Sequence, residues 1–176
     1  MRRSLCLLTI NLLVAGCSDD ACGPSGAPAA GLVASATGVT LTYGGMMAGQ
    51  NNDCPDPAAP EGVVSLTIAG QQTDGTGIFT ICIARPDKLA DKAQALGPDT
   101  AGSEVRLVDL SGTSAGCGYT LGSAVTGTVS ASGMCGDGAD PAGFALDITA
   151  TVTLNRVCMS DTIEVQIAGR TAVAPQ

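Results

Sequence analysis

Apolar and polar residues alternate with a period of two along most of the chain beyond residue 31. The longest alternating stretch runs over residues 144–155. Its apolar positions are Phe144, Leu146, Ile148, Ala150, Val152 and Leu154, and its polar positions are Asp147, Thr149, Thr151, Thr153 and Asn155. Because successive side chains of a strand point to opposite faces, this pattern predicts a strand with one buried face and one exposed face.

Six further segments share this alternation, and loops rich in Gly, Asp and Pro separate them. The segments are residues 39–43, 64–68, 79–83, 105–107, 119–133 and 162–167. A sheet with one polar face must cover its apolar face with a second sheet or close on itself. The sequence therefore predicts an all-β domain, an antiparallel β-sandwich of about seven strands, with a barrel as the alternative.

One segment departs from the period of two. Its apolar residues at helical spacing are Leu89, Ala93 and Leu96. Pro86 suits the first turn of a helix, and Gly97 followed by Pro98 is a typical helix stop. We therefore expect one short helix near residues 86–96, which connects two strands.

The alternation also predicts one disulfide. If segments 119–133 and 143–157 pair as antiparallel strands, their apolar faces coincide only in certain registers. One such register pairs Leu121 with Leu154, Val125 with Ala150, and Val129 with Leu146. The same register sets Cys117 opposite Cys158. Because opposed strand residues lie within disulfide distance, we predict a bond between Cys117 and Cys158.

The N-terminal stretch combines a basic start with a short apolar run. Arg2 and Arg3 precede the apolar residues 5–15, a run too short to cross a bilayer as a helix. The run ends in the sequence VAGC at residues 14–17, which resembles the lipobox of bacterial lipoproteins. The resemblance implies cleavage before Cys17 and acylation of this residue, so that Cys17 anchors the chain to a membrane.

The lipobox divides the chain into three predicted parts. Residues 1–16 are a signal peptide, residues 17–31 a flexible lipid-anchored tether rich in Gly and Pro, and residues 32–176 the β-sandwich domain. Ser18 follows the lipidated cysteine. In the sorting rule of enteric bacteria, serine there permits export to the outer membrane, whereas aspartate retains the protein at the inner membrane. The resemblance therefore implies the outer membrane, on its periplasmic or its surface face, rather than the inner membrane.

Composition narrows the chemistry that this domain can perform. The chain has no histidine and no tryptophan, which excludes Ser-His-Asp and Cys-His sites and zinc sites with histidine ligands. The net charge of −8 becomes −10 once Arg2 and Arg3 leave with the signal peptide. Such an acidic chain is not expected to bind nucleic acid. Catalysis by carboxylates alone remains compatible with the composition.

The mature chain keeps six cysteines besides Cys17, and none of them forms a C-x-x-C motif. An even number of cysteines in an exported chain indicates disulfides, here three. The set is Cys22, Cys54, Cys82, Cys117, Cys135 and Cys158. Apart from the predicted pair, the partners stay open. Cys82 lies on the strand face opposite to Phe79 and Ile81, so we expect its partner on a loop that crosses this outer face.

Two loops collect carboxylates of the kind that bind calcium. The candidate ligands are Asp53, Asp56, Asp137 and Asp140, with Glu61 nearby. Neither loop has EF-hand spacing, and turns require the same residue types, so we favour turns and expect no metal or cofactor. Met46 and Met47 are soft ligand types for Cu(I), with Met134 or Met159 as additional ligands, but adjacent methionines rarely converge on one ion. The alternative for this methionine segment is an exposed contact with a protein partner.

Two functions remain after these exclusions. A non-catalytic, lipid-anchored binding or structural domain fits the anchor, the disulfides and the missing catalytic residue types. Its partners would be the membrane and an envelope protein or polysaccharide. A carboxylate-dependent hydrolase of envelope polysaccharide is the alternative. The body of the chain also resembles uncharacterised, threonine- and glycine-rich β-domain lipoproteins of the envelope, although no single motif in it names a family.

Overall fold

The computed structural model describes residues 23, 28–50, 54–100, 102–134 and 143–174. Within them the chain forms nine strands and one helix. The strands are β1 (Gly31–Ala36), β2 (Val39–Gln50), β3 (Leu66–Gln72), β4 (Ile78–Ile83), β5 (Gln94–Pro98), β6 (Val105–Ser114), β7 (Cys117–Ser132), β8 (Phe144–Arg156) and β9 (Asp161–Ala174), and the helix is α1 (Pro86–Asp91). The prediction of an all-β domain with one short helix is confirmed.

All nine strands belong to one sheet, in the order β1-β2-β3-β4-β6-β5-β7-β8-β9. The sheet closes into a barrel because β9 pairs with β1 as well as with β8. Neighbouring strands are antiparallel except for β5 beside β6 and a two-residue contact between β2 and β9. Closure covers the apolar face without a second sheet. The sheet therefore has the barrel topology that the sequence allowed as the alternative to a sandwich. The two strands that the sequence did not predict are β1 and β5.

The helix predicted near residues 86–96 is shorter than expected. It ends at Asp91, and the residues from Gln94 onward form β5 instead. The reason is a gap between β6 and β7, which hydrogen-bond only near their shared turn and then separate. β5 fills this gap, parallel to β6 and antiparallel to β7. The Gln94 side chain donates to the carbonyl oxygens of Lys88 and Lys92 at 3.1 and 3.2 Å, which ties this strand to the helix C-terminus.

A bulge divides the register of β7 and β8, the two strands used to predict a disulfide. Before the bulge Leu121 pairs with Leu154, as predicted. Beyond it the observed pairs are Val125 with Val152 and Val129 with Ile148. The predicted partners Ala150 and Leu146 are therefore wrong by two residues. The extra residues lie within residues 122–124, and because their number is even, Val125 and Val129 stay on the same inner face as Leu121. The alternation alone could not detect such a bulge.

The inner face of the closed sheet is filled by apolar side chains from every strand. Tyr43, Phe79 and Phe144 are among the largest fully buried residues, and the rings of Tyr43 and Phe79 are 5.8 Å apart. Each such side chain stabilises the fold by about 1.5–3 kcal/mol relative to leaving it exposed. A second, smaller apolar cluster of Cys54, Cys82 and Ala84 is separate from this core.

The strand directions give the barrel two different ends. The hairpin end carries four tight connections, at residues 37–38, 73–77, 115–116 and 157–160. The opposite end, here called the tether end, carries the start of β1 and the end of β9. The N-terminal part of the chain therefore joins the barrel at the end opposite to the four hairpins. Gly23 also lies at the tether end, because its N–H donates to the carbonyl oxygen of Gly133 at 2.8 Å.

Candidate functional site

Several carboxylates of the described residues take part in ion pairs. Five of them contact a lysine or arginine of this chain, namely Asp56, Asp87, Glu104, Asp147 and Asp161. Hydrogen bonds from Arg85 lower the pKa of Asp87, and those from Arg156 lower the pKa of Asp161. Paired carboxylates of this kind act as structural contacts and leave few lone pairs for a ligand.

Asp56, one of the calcium candidates, takes part in a turn and an ion pair. Its Oδ1 accepts a hydrogen bond from the Ala58 N–H at 2.9 Å, and its Oδ2 lies 3.3 Å from Arg85 Nη1. The Ala58 hydrogen bond is the main cause of the lowered pKa of Asp56. Glu61 is exposed. Among the described residues no group of three His, Cys, Asp or Glu side chains is placed to hold a metal ion. Asp53, Asp137 and Asp140 lie outside the described residues.

Among the carboxylates that the structure describes, Asp109 on β6 has the environment nearest to that of a catalytic acid. Burial raises its pKa, which hydrogen bonds from Leu110 and Ser111 partly offset. A hydrolase of the predicted kind needs a second carboxylate across the scissile bond, about 5–10 Å away. The negative charges of Asp109 and Asp74 both raise the pKa of the Tyr43 phenol. Asp74, however, accepts hydrogen bonds from the Thr76 hydroxyl at 2.7 Å and from the Thr76 N–H at 3.0 Å. These hydrogen bonds lower the pKa of Asp74 and give it a turn-forming role.

A buried polar network closes the hairpin end between β3 and β6. The amide of Gln72, 6% exposed, donates to the carbonyl oxygen of Thr113 at 2.7 Å and to Asp74 at 3.1 Å. Its oxygen accepts from the Thr113 N–H at 2.9 Å, and the Thr76 hydroxyl oxygen, whose proton points to Asp74, lies 3.2 Å from it. The Tyr43 hydroxyl donates to the Ser111 carbonyl at 2.8 Å. All of these groups satisfy one another, so the network stabilises the fold and offers no vacant binding position.

The cysteines within the described residues form two disulfides. Cys117 and Cys158 are bonded, with their Cα atoms 5.4 Å apart, as the strand register predicts. Cys54 is bonded to Cys82. Cys54 belongs to the loop between β2 and β3, and this loop crosses the outer face of β4, as expected for the partner of Cys82. The other three cysteine positions that the sequence singles out, Cys17, Cys22 and Cys135, lie outside the described residues.

The two adjacent methionines of β2 point to opposite sides of the sheet. Met46 is 1% exposed and belongs to the core, whereas Met47 is 51% exposed. The Met46 sulfur lies 2.2 Å from where a Cβ on Gly70 would be, so only glycine leaves room for it there. A shared copper ion is therefore not compatible with this pair. The exposed contact that the sequence allowed for Met47 remains.

Met47 borders a groove on the outer face of β2, β3 and β4 with a volume of about 750 Å³. Strand pairing sets Met47 beside Ala69, and Ala69 beside Thr80. One step nearer the hairpin end, Gln71 pairs with Ile78, which is 41% exposed. Met47 and Ile78 are thus the raised apolar sides, and the small side chain of Ala69 forms the floor. None of the described residues that line this groove is charged.

A second exposed apolar feature lies at the hairpin end. Val157 and Met159 flank Cys158 and are 65% and 63% exposed. The Val157 N–H donates to the Gly118 carbonyl at 2.9 Å, so both this bond and the disulfide fix the turn to β7. This tip protrudes from the barrel, whereas the groove on β2–β4 is concave. The concave feature is the better candidate for a binding site.

Sequence reasoning identified Met47 but missed the groove and Ile78. A signal for Ile78 existed, because it precedes Phe79, Ile81 and Ile83, which occupy the inner face of the same strand. An apolar residue at the opposite parity indicates an apolar position on the outer face. The groove itself needs the pairing of three strands, which no local pattern contains.

No protein-family model, no curated protein and no solved structure matches this chain. In the described part of the chain, no helix has the length and apolar character needed to span a bilayer.

Proposed function

We propose that this chain is a lipid-anchored, disulfide-stabilised domain of the bacterial cell envelope that acts by binding rather than by catalysis. The VAGC sequence at residues 14–17 supports an anchor at Cys17, and Ser18 favours the outer membrane over the inner one. The disulfides Cys54–Cys82 and Cys117–Cys158 suit an oxidising compartment outside the cytoplasm.

One observation carries the binding role, namely the uncharged groove between Met47 and Ile78 on the outer face of the barrel. Concave surfaces with an apolar lining are the usual sites of recognition. Apolar side chains of the described residues fill the inner face of the barrel, and these residues leave no comparable site there. The ion pairs at five described carboxylates argue against the alternative, a carboxylate-dependent hydrolase of envelope polysaccharide.

The anchor is tested by expressing the full chain and the Cys17→Ser variant in a Gram-negative host supplied with labelled palmitate. The wild type should incorporate the label and partition with the outer-membrane fraction. Cys17→Ser should remain unlabelled and accumulate unprocessed or soluble. A wild-type protein that is unlabelled and starts at a residue other than Cys17 would refute the anchor.

The absence of catalysis is tested with the purified protein and isolated envelope polysaccharide, including cell-wall sacculi. We expect no release of reducing sugars above a buffer control. Release that is lost in Asp109→Asn, which replaces a described carboxylate whose pKa is raised by burial, would support the hydrolase instead.

A further inference from the structure

We propose that a cavity at the tether end of the barrel binds an acyl chain, and that this acyl chain belongs to the lipid on Cys17 of the same molecule. The inference rests on the proposed anchor and adds a contact between the anchor and the barrel, which holds the tether end against the membrane. The cavity has a volume of about 570 Å³, within the roughly 300–1,000 Å³ that is usual for small-molecule sites.

The cavity exists because β2 changes its partner strand beside the start of β1. Residues 39–43 of β2 pair with β1, whereas Met46 and Met47 pair with β9. Gly44 and Gly45 lie between these two pairings, and a Cβ on either glycine would meet no other part of the protein within 4 Å. Because neither glycine has a side chain to fill the space, the gap between the two pairings stays open.

The lining of the cavity suits an uncharged ligand that makes no backbone hydrogen bonds. The described residues that form it are Gly, Ala, Thr, Tyr, Met and Val, and none of these side chains is charged at neutral pH. Tyr43, Met46 and Val173 are each 1% exposed, so the cavity reaches the apolar core. A peptide strand cannot be added here, because β2 and β9 already pair with each other at Met46 and Val173. A hydrocarbon chain needs no hydrogen-bond partner and is stabilised by leaving water.

The N-terminal part of the chain passes beside the cavity. Ala29 and Ala30 are exposed, line the cavity together with Gly31, and lead directly into β1. Earlier in the chain, the Gly23 N–H donates to the carbonyl oxygen of Gly133 at 2.8 Å, at the end of β7. The segment that follows Cys17 is therefore fixed to the barrel at the same end as the cavity.

The distance from Gly23 to the cavity is short compared with the reach of the chain. The residue that accepts its hydrogen bond directly follows Ser132 of β7. The strand register sets Ser132 beside Ala145 of β8, and Ala145 beside Ala172 of β9, which lines the cavity. Two steps between neighbouring strands amount to about 10 Å. Cys17 precedes Gly23 by six residues, which span up to about 20 Å when extended. An acyl chain on Cys17 can therefore reach the cavity, and the short connection gives it a high effective concentration there.

The test uses the full chain, expressed in a Gram-negative host that is supplied with a palmitate analogue carrying a diazirine near its methyl end. Irradiation of the isolated envelopes links the analogue to the atoms beside it, and peptide mapping identifies both ends of each link. We expect links within one molecule between the Cys17 peptide and the lining segments 29–31, 42–46 and 171–174. Links from Cys17 to other molecules or other segments only, or links to the lining that come only from phospholipids, would overturn the proposal.

Two alanines of β9 provide a matched pair of variants. Ala172 and Ala168 are both exposed on the outer face of this strand, but only Ala172 lines the cavity. Ala172→Asp places a charge in the lining and should reduce the yield of links to the lining at least fivefold, whereas Ala168→Asp should leave it within twofold of the wild type. A wild-type yield in Ala172→Asp would contradict the proposal. If Ala172→Asp lowers the melting temperature by more than about 2 °C, Gly44→Leu takes its place, because there is free space at this position for a side chain that fills the cavity.

The same experiment separates this inference from the proposed anchor. A Cys17 without the palmitate label refutes the anchor, and with it the source of the acyl chain. A labelled Cys17 without links to the lining refutes the cavity as the binding site and leaves the anchor intact.

Discussion

At the scale of single residues, Gln72 determines how the hairpin end of the barrel closes. Its side-chain amide bridges β3 to the backbone of β6 by bonding both the N–H and the carbonyl oxygen of Thr113. Gly112 makes this possible, because a Cβ there would lie 2.1 Å from the Gln72 Oε1 atom. A buried amide with complete hydrogen bonding fixes the relative position of two strands more specifically than apolar contact does.

Replacing Gln72 with leucine should therefore destabilise the domain. Gln72→Leu keeps the volume but leaves the Thr113 N–H and carbonyl groups without their partners, at a cost of about 2–4 kcal/mol. We expect the melting temperature to fall by about 5–10 °C in thermal denaturation followed by circular dichroism. The control is Gln71→Leu, the exposed neighbour, which should change it by about 1 °C. Equal effects of both substitutions would contradict a structural role for the Gln72 network.

At the scale of elements, the β7–β8 hairpin is held at both of its ends. The Cys117–Cys158 disulfide crosslinks it at the hairpin end, where β8 turns into β9. At the tether end, Gly133 follows β7 with a φ of +75°, and the Gly23 carbonyl oxygen lies 1.6 Å from where a Cβ on Gly133 would be. Only glycine allows this close approach of the N-terminal chain.

Removing the Cys117–Cys158 bond should lower the free energy of unfolding, because the unfolded chain gains conformational entropy without the crosslink. The bond closes a loop with a sequence separation of 41 residues. The chain-entropy relation gives about 4 kcal/mol for a loop of this length. We expect Cys117→Ala combined with Cys158→Ala to lower the melting temperature by about 10 °C, whereas Val157→Ala in the same turn should change it by about 1 °C. A melting temperature equal to that of the wild type would show that the bond does not form in the protein.

The third disulfide follows from elimination and from the position of Gly23. Cys54, Cys82, Cys117 and Cys158 form two bonds. If the proposed cleavage removes Cys6 and acylation blocks Cys17, the remaining cysteines are Cys22 and Cys135, both outside the described residues. Gly23 follows Cys22 directly, and its hydrogen bond to Gly133 brings the two segments together. Peptide mapping without reduction should therefore recover a fragment that joins Cys22 to Cys135. Free thiols at both positions, or a link from either one to another cysteine, would refute this pairing.

At the scale of the whole molecule, arginine-paired carboxylates make the barrel sensitive to acid. Arg85 lowers the pKa of Asp87, and Arg156 lowers that of Asp161, below the ordinary value of 3.8. A carboxylate whose pKa is lower in the folded state than in the unfolded state stabilises the fold above the unfolded value. That stabilisation is lost as pH falls through the folded value. Asp109, whose pKa is raised by burial, acts with the opposite sign and destabilises the fold as pH rises through its folded value.

We therefore expect the melting temperature of the wild type to stay nearly constant between about pH 7 and 5 and to fall below about pH 4.

Asp87→Asn should lower the melting temperature by about 1–3 °C at pH 7, because it removes the bidentate partner of Arg85. The difference from the wild type should shrink below pH 4. Asp91→Asn, which replaces an exposed aspartate on the same helix, is the control and should change the melting temperature at pH 7 by less than about 1 °C. A difference at Asp87 that persists unchanged at low pH would contradict the ion-pair explanation.

The sequence by itself determined which residues face the core. Alternation in β8 and β9 identifies their inner faces, because the direction of a strand side chain depends only on its position along the strand. It also paired Cys117 with Cys158, since these residues lie before the bulge, where one register holds. The outward position of Cys82 and the loop origin of its partner followed from the same local rule.

Only the tertiary structure decided what depends on strands meeting across long sequence distances. The segment from Gln94 onward has helical spacing, yet it is a strand because β6 and β7 leave a gap that only β5 can fill with backbone hydrogen bonds. Closure of the sheet through β1 and β9, and the groove between Met47 and Ile78, likewise require neighbours that are far apart in the chain. A local pattern records which face a residue takes, but not which strand lies beside it, because pairing is selected by the free energy of the whole sheet.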